Sequence, residues 1–475
     1  MSEENKDLIE IEIESLAFEG ESVAKKDNFV YFVKGGIPGD VVLIKVLKKK
    51  KRHAEAIIEK IITPSPKRIP PKCVHFSECG GCNMQSLAYE DQLFWKKSFI
   101  LDSFQRLGGF NNPDISETIG SPKIYNYRNK MEFSFGDQRW LTKEEVEQTE
   151  VMFNKNFALG LHVPGRYDKV LDVSYCDISP EVFNNILLAV KAKSESLNLS
   201  PYNSEKKTGF LKNLICRWSE LEQKGMFILL TTQPVIDEEL EMIEWFLKLN
   251  DSIEQVGSLI HAVNNTQSPV ANGDIKKITG QEYMTEEILG IKYKISPFSF
   301  FQTNSSQLEK FISEILVAAE LQPTDVIWDL YCGTGSISLP AAKQCTMVFG
   351  IELSEGSIED AKHNAEMNGI ENVHFLASDL HSKLIPDLLT QLPKPDVVIL
   401  DPPRAGMHTN LINHLLNLAP KKIIYVSCNP ATQARDCDHF TMKYNLVSIQ
   451  PVDMFPQTYH VESIAHLELK DEYYR

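Results

Sequence analysis

The chain has 475 residues, a net charge of −16 and a 43% hydrophobic content, enough for about two to four domains that each bury a core. No apolar run reaches the ~18–20 residues that span a bilayer. The opening Met1-Ser-Glu-Glu-Asn-Lys6 is acidic and polar, unlike a secretory leader, so a cytoplasmic protein with no membrane partner is expected. The negative total argues against a nucleic-acid partner, yet residues 41–72 carry ten Lys or Arg against two Glu, including the run at 48–52. Local charge therefore permits phosphate binding, while a solvated basic loop is the commoner reading of such a run taken alone.

In chain order, residues 8 to about 62 read as β structure. Ile9, Ile11 and Ile13 alternate with acids, further apolar runs lie at 29–33 and 41–47, and Gly-containing turns separate them. A small barrel of about five strands is predicted, a shape that often binds nucleic acid. The Pro-rich stretch 63–71 reads as a linker. A cysteine cluster follows, then a helix over 89–107. Residues 127–289 are dominated by strand-like runs, with a helix at 180–197, which predicts an antiparallel or mixed α+β domain. The helix at 305–321 has apolar residues at the spacing of one buried face. From Asp325 apolar strands at 326–330, 347–351, 373–376, 397–400 and 423–426 alternate with helical segments, the pattern of a doubly wound, Rossmann-like α/β sheet. The expected division is residues 1–65, barrel; 72–290, central domain; 291–475, doubly wound domain.

Cysteines lie at 73, 79, 82, 176, 216, 332, 345, 428 and 437. An odd number in a cytosolic chain points to ligation or catalysis rather than a disulfide framework. Cys73, Cys79 and Cys82 are closely spaced, and Cys176 is a plausible fourth thiol from a distant loop. Four thiolates suit either a [4Fe–4S] cluster or structural zinc, and spacing leaves that choice open.

Asp329-Leu-Tyr-Cys-Gly-Thr-Gly335 ends the first strand of the doubly wound sheet and opens a helix, and Glu352 ends the next strand, where a ribose diol would be hydrogen-bonded. No third glycine follows, as a dinucleotide fingerprint would require. The form resembles class I methyltransferases, whose ligand, S-adenosylmethionine, has no pyrophosphate to cradle. Asp379, after the third strand, is placed to face an adenine edge, although an acid there also suits a helix cap. The fourth strand ends in Asp401-Pro-Pro-Arg404, the fifth in Ser427-Cys-Asn-Pro430, and Phe455-Pro-Gln-Thr-Tyr-His-Val-Glu-Ser463 precedes the last apolar strand. Taken singly, each has a plain structural reading: a small buried Cys, a surface Glu, a turn at Pro-Pro.

Together these motifs resemble the RNA 5-methyluridine methyltransferase family, and Phe298-Ser-Phe-Phe-Gln-Thr-Asn304 is similar to the segment preceding its methyltransferase sheet. The resemblance implies Cys428 as nucleophile, Glu462 as base and Asp401 beside them. It implies that Gln302, Tyr331, Ser336, Glu352, Asp379 and Asp401 line the methyl donor or the uracil; family members often carry Asn where this chain has Ser336. The required chemistry fits that set. Carbon 5 of uracil is a poor nucleophile until a thiolate adds at carbon 6, and a base must afterwards remove the carbon-5 proton. The larger ribosomal-RNA members carry a TRAM barrel and a cysteine cluster of this spacing, so the resemblance favours a [4Fe–4S] cluster over zinc and 23S rRNA as partner. A tRNA enzyme acting on the T-loop uridine is the alternative, and a non-catalytic RNA-binding protein is a third reading. A monomer is expected.

Overall fold

The computed structural model describes residues 8–148, 152–203, 205–266, 271–382 and 385–474; the acidic opening segment lies outside them. Strands Leu8–Leu16, Ser22–Lys26, Phe29–Lys34, Val41–Lys49 and His53–Thr63 close into a barrel. The third and fifth run parallel, and the other neighbours are antiparallel. Alternation decides which side chains go inside: Ile11 and Ile13 join Ala24, Val33, Val42, Ile44 and Ala56 in the barrel core, while the intervening acids face out. Asp27 and Asn28, both at positive φ, form the tight turn between the second and third strands, as a two-residue hairpin loop requires. The Pro-rich stretch after the barrel is irregular but pinned. Asp40, fully buried, accepts from Ser65 N at 2.8 Å and pairs with Arg68.

The central region is a mixed eight-stranded sheet, backed by helix Glu181–Ser196, whose Val182, Phe183, Ile186, Leu187 and Val190 are buried against it. A hairpin, Met284–Ile288 with Ile291–Ile295, leads to helix Ser305–Ala319. The C-terminal sheet has seven strands. Their order is Val373–Ala377, Met347–Glu352, Val326–Leu330, Val397–Leu400, Lys422–Ser427, Glu462–Leu469, Tyr444–Val452. The first five are parallel, and Glu462–Leu469 runs antiparallel to both its neighbours. Successive residues point to opposite faces, and both faces are covered: Ile327, Val348, Ile399 and Ile424 belong to one apolar cluster, Trp328, Phe349, Val398 and Tyr425 to the other. Burial on both sides is why these strands read as unbroken apolar runs.

Chain order reverses between Val326–Leu330 and Val397–Leu400, which opens a crevice at the carboxyl ends of the strands. The first helix, Tyr89–Arg106, precedes the central sheet in sequence yet packs on the C-terminal one, with Ile100 and Phe104 in its apolar cluster. Ile115 and Ile119 then bridge to Ile449 and Val452 at that sheet's edge. The stretch 89–121, grouped by sequence with residues 72–290, thus lies against the C-terminal sheet, because its apolar residues find their cover there. The barrel also reaches this region, where Phe18 meets the ring of Tyr459 at 5.6 Å. Among the described residues no helix is long and apolar enough to cross a membrane.

Candidate active site

A cleft of about 1160 Å³ opens at the crevice, and it is lined by Gln302, Tyr331, Ser336, Glu352, Asp379, Asp401, Cys428 and Glu462 together. The loop after the first strand shapes one wall. Tyr331, Gly333 and Gly335 all take positive φ, a conformation that costs a non-glycine residue energy and is concentrated at ligand sites. A Cβ on Gly333 would meet nothing within 4 Å, so its backbone is open to a ligand. Glu352 holds this turn, accepting from Gly333 N at 3.3 Å and from Ser354 N at 2.9 Å. Asp379 accepts from His381 N at 2.9 Å within a turn, and lines the cleft. Asp329 does not line it; it is fully buried beneath, accepts from Ser338 Oγ at 2.5 Å, and burial pushes it up to about 6. The hydroxyl of Tyr331 is buried without a hydrogen-bond partner, a cost normally met by a ligand or water.

The opposite wall is built from three strand ends laced to one another. The carbonyl of Arg404 accepts from Asn429 Nδ2 at 3.0 Å and from Thr432 Oγ1 at 3.2 Å. Asn429 also caps helix Pro430–Phe440, accepting from Ala431 N. This fixes Cys428 at the turn between strand and helix. Asp436 of the same motif is structural: it is buried and accepts from Tyr425 OH and Met407 N. Arg404 turns its guanidinium to His460, at 3.1 Å.

The ionisable groups here are strongly displaced. Burial, reinforced by Asp401, pushes Glu462 up to about 8, and Arg404 opposes the shift. Burial and Asp329 push Asp401 up to about 7. Burial and Glu462 push the Cys428 thiol up to about 11, again against Arg404. A thiol, two carboxyls with raised pKa values and one guanidinium thus line one cleft. Such a set suits nucleophilic attack coupled to proton transfer. Sequence reading missed the pairing of His460 with Arg404, and missed Phe300, exposed beside buried Phe301 at the cleft mouth.

A second cavity, of about 440 Å³, adjoins the first through Phe300, Phe301 and Phe455. Cys73, Cys79, Cys82 and Cys176 all line it, with Arg128, Lys130 and His460. Burial pushes every one of these thiols up, Cys79 to about 11 and Cys82 to about 12. Gln85 lies against them: its Oε1 accepts from Cys73 N at 3.0 Å, while its Nε2 is buried without a partner. Among the described residues no group of three or more His, Cys, Asp or Glu side chains is arranged to hold a metal ion.

Comparisons with known proteins agree with this geometry. Residues 248–470 match the tRNA (uracil-5-)-methyltransferase family, and residues 4–58 match the TRAM domain. An uncharacterized RNA methyltransferase of Bacteroides thetaiotaomicron is 40% identical, covering 96% of this chain and 100% of its own length. One from Chlorobaculum tepidum is 36% identical over 97% and 96%. Among solved structures, Pyrococcus abyssi tRNA (uracil-54, C5)-methyltransferase, in complex with S-adenosyl-L-homocysteine, is similar with a TM-score of 0.73. It is 26% identical, covering 97% of this chain and 100% of that one. The chain therefore belongs to the TRAM-bearing RNA (uracil-5-)-methyltransferases, enzymes that depend on S-adenosylmethionine.

Proposed function

We propose that this enzyme, acting as a monomer, methylates carbon 5 of a uridine in 23S ribosomal RNA, with Cys428 as nucleophile, Glu462 as base and Asp401 as their acidic neighbour. The observation that carries the reading is the meeting of these three side chains in one cleft with the glycine loop and Glu352. S-adenosylmethionine supplies an electrophilic methyl. The Cys428 thiol gives up its proton to solvent, the thiolate sulfur bonds to carbon 6 of the uracil, and the resulting enolate makes carbon 5 nucleophilic. After methylation Glu462 takes the carbon-5 proton, and the carbon–sulfur bond breaks with its electron pair returning to Cys428. Asp401, pushed up to about 7, is suited to carrying a proton beside the base. Gln302, Tyr331, Ser336, Glu352 and Asp379 are assigned to the donor.

A second reading, transfer RNA, is favoured by the likeness to the Pyrococcus abyssi tRNA enzyme. That likeness runs over nearly the whole chain, barrel included, so the presence of a barrel does not separate ribosomal from transfer-RNA enzymes as the sequence reading supposed. Mapping 5-methyluridine in both RNAs from cells lacking the gene tests the choice. A methyl missing from one 23S position supports the proposal, and one missing from the T-loop replaces it.

Cys73, Cys79, Cys82 and Cys176 are assigned to a [4Fe–4S] cluster. All four line one cavity, and the choice of iron over zinc rests on the family resemblance. The buried amide of Gln85 and the nearby Arg128 and Lys130 would offset thiolate charge. Protein purified without oxygen is expected to be brown, with about four iron atoms per chain; stoichiometric zinc in colourless, active protein would refute the assignment.

Glu352→Ala should weaken S-adenosylmethionine binding tenfold or more, since a charged hydrogen bond contributes about 1.5–3 kcal/mol. RNA affinity should be nearly unchanged. Calorimetric titration with each ligand checks this, and equal loss of both would indicate a folding defect.

A further inference from the structure

Residues 453–461 join the two antiparallel strands of the C-terminal sheet and deliver Glu462. They form no regular structure, yet Asp453, Met454, Gln457, Thr458 and Val461 are buried. An irregular buried segment must find partners for its own carbonyls, and each of four successive ones is held from a different part of the chain. Asn304 Nδ2 donates to Met454 O at 3.1 Å, Lys96 Nζ to Phe455 O at 3.0 Å, and Tyr127 OH to Pro456 O at 3.0 Å. Asn83 N and Met84 N, just after Cys82, donate to Gln457 O at 3.1 and 3.0 Å.

The grip from the first helix is the most costly. Lys96 is fully buried, with Nζ 2.5 Å from Asp453 Oδ1. Tyr89 OH donates to the other oxygen of Asp453 at 2.8 Å, and Gln92 exchanges two bonds with Gln457, each 3.0 Å. Tyr89, Gln92 and Lys96 stand at i, i+3 and i+7, on one face of the helix. A buried ion pair is a poor source of stability beside an apolar packing of equal volume; its best-attested use is to fix one register among several. The loop it fixes carries Phe455, which lines both cavities, and His460, which meets Arg404.

We propose that Lys96 is a positioning residue for methyl transfer, whose ammonium clamps Asp453 and the Phe455 carbonyl and so sets Glu462 where it can reach the carbon-5 proton. The proposal rests on the reading of Glu462 as base. In the step concerned that proton passes to the Glu462 carboxylate, the sulfur–carbon-6 bond breaks, and its electron pair returns to Cys428. Loss of Lys96 should slow this resolution far more than it slows adduct formation.

The test uses full-length protein, labelled S-adenosylmethionine and unmodified total RNA from cells lacking the gene. It follows adduct formation and decay by denaturing electrophoresis, alongside thermal unfolding. Lys96→Met should slow adduct decay at least tenfold, so that adduct accumulates, with S-adenosylmethionine affinity within twofold of wild type. Lys96→Met combined with Asp453→Asn removes the stranded buried carboxylate; it should regain thermal stability without regaining fast decay. Decay at the wild-type rate in the restabilised double variant would overturn the proposal. So would equal slowing of formation and decay in both variants, the mark of a merely structural role. Glu462→Gln is the control. Adduct in Glu462→Gln but none in Lys96→Met leaves the base assignment standing and removes this one; no adduct in Glu462→Gln removes both.

Discussion

Cys428→Ala enzyme is expected to bind RNA and S-adenosylmethionine and to transfer no measurable methyl, a loss on the order of 10⁴-fold or more. The size follows from chemistry: without a sulfur at carbon 6 no enolate forms. Burial holds the resting thiol near 11, so reactivity depends on what offsets that burial. The guanidinium of Arg404 is the group that does so. A flipped-out uracil, the usual way such enzymes reach a base, would have to meet the sulfur beside it. Methyl incorporation from labelled donor, with binding measured separately, checks the expectation. Residual turnover above about one per cent would move the nucleophile elsewhere.

The cleft wall that bears Asp401 and Cys428 was legible in the sequence because topology did most of the selecting. Strands buried on both faces announce themselves as apolar runs, and ligands of such sheets gather at the carboxyl ends. The motif residues Asp401 and Cys428 sit directly after two of those runs. The clamp around residues 453–457 was not legible, for an equally physical reason. Along the first helix, hydrophobic periodicity assigns the polar positions to solvent and the apolar ones to the core. The structure reverses several of them: Lys96 is 0% and Gln92 1% exposed, while Phe94 is 58% exposed. What Lys96 meets is Asp453, 357 residues away, and no local pattern encodes a partner at that separation. The contact of His460 with Arg404 is hidden for the same reason, since only the fold brings the two motif segments together.

Glu462→Gln should behave unlike Cys428→Ala. Attack and methylation proceed, but no base removes the carbon-5 proton, so a methylated protein–RNA adduct should accumulate toward one per chain and survive denaturing electrophoresis. Adding Cys428→Ala should abolish it. The sign of the pH response gives an independent check. In wild type, Glu462 is held up to about 8, so the fraction able to accept a proton grows as pH rises through that value. Adduct decay should therefore quicken between about pH 7 and 9. In Glu462→Gln it should be slow and flat across the same range. Stability should run the other way. A carboxyl whose pKa is raised from 4.5 to about 8 by folding favours the folded state below 4.5, and that contribution is lost as pH climbs through 8. Glu462→Gln lacks this loss, so its thermal midpoint should rise relative to wild type between pH 6 and pH 9. Rapid turnover by Glu462→Gln, or an adduct that persists without Cys428, would overturn both role assignments, because each role is defined by the bond the other must release.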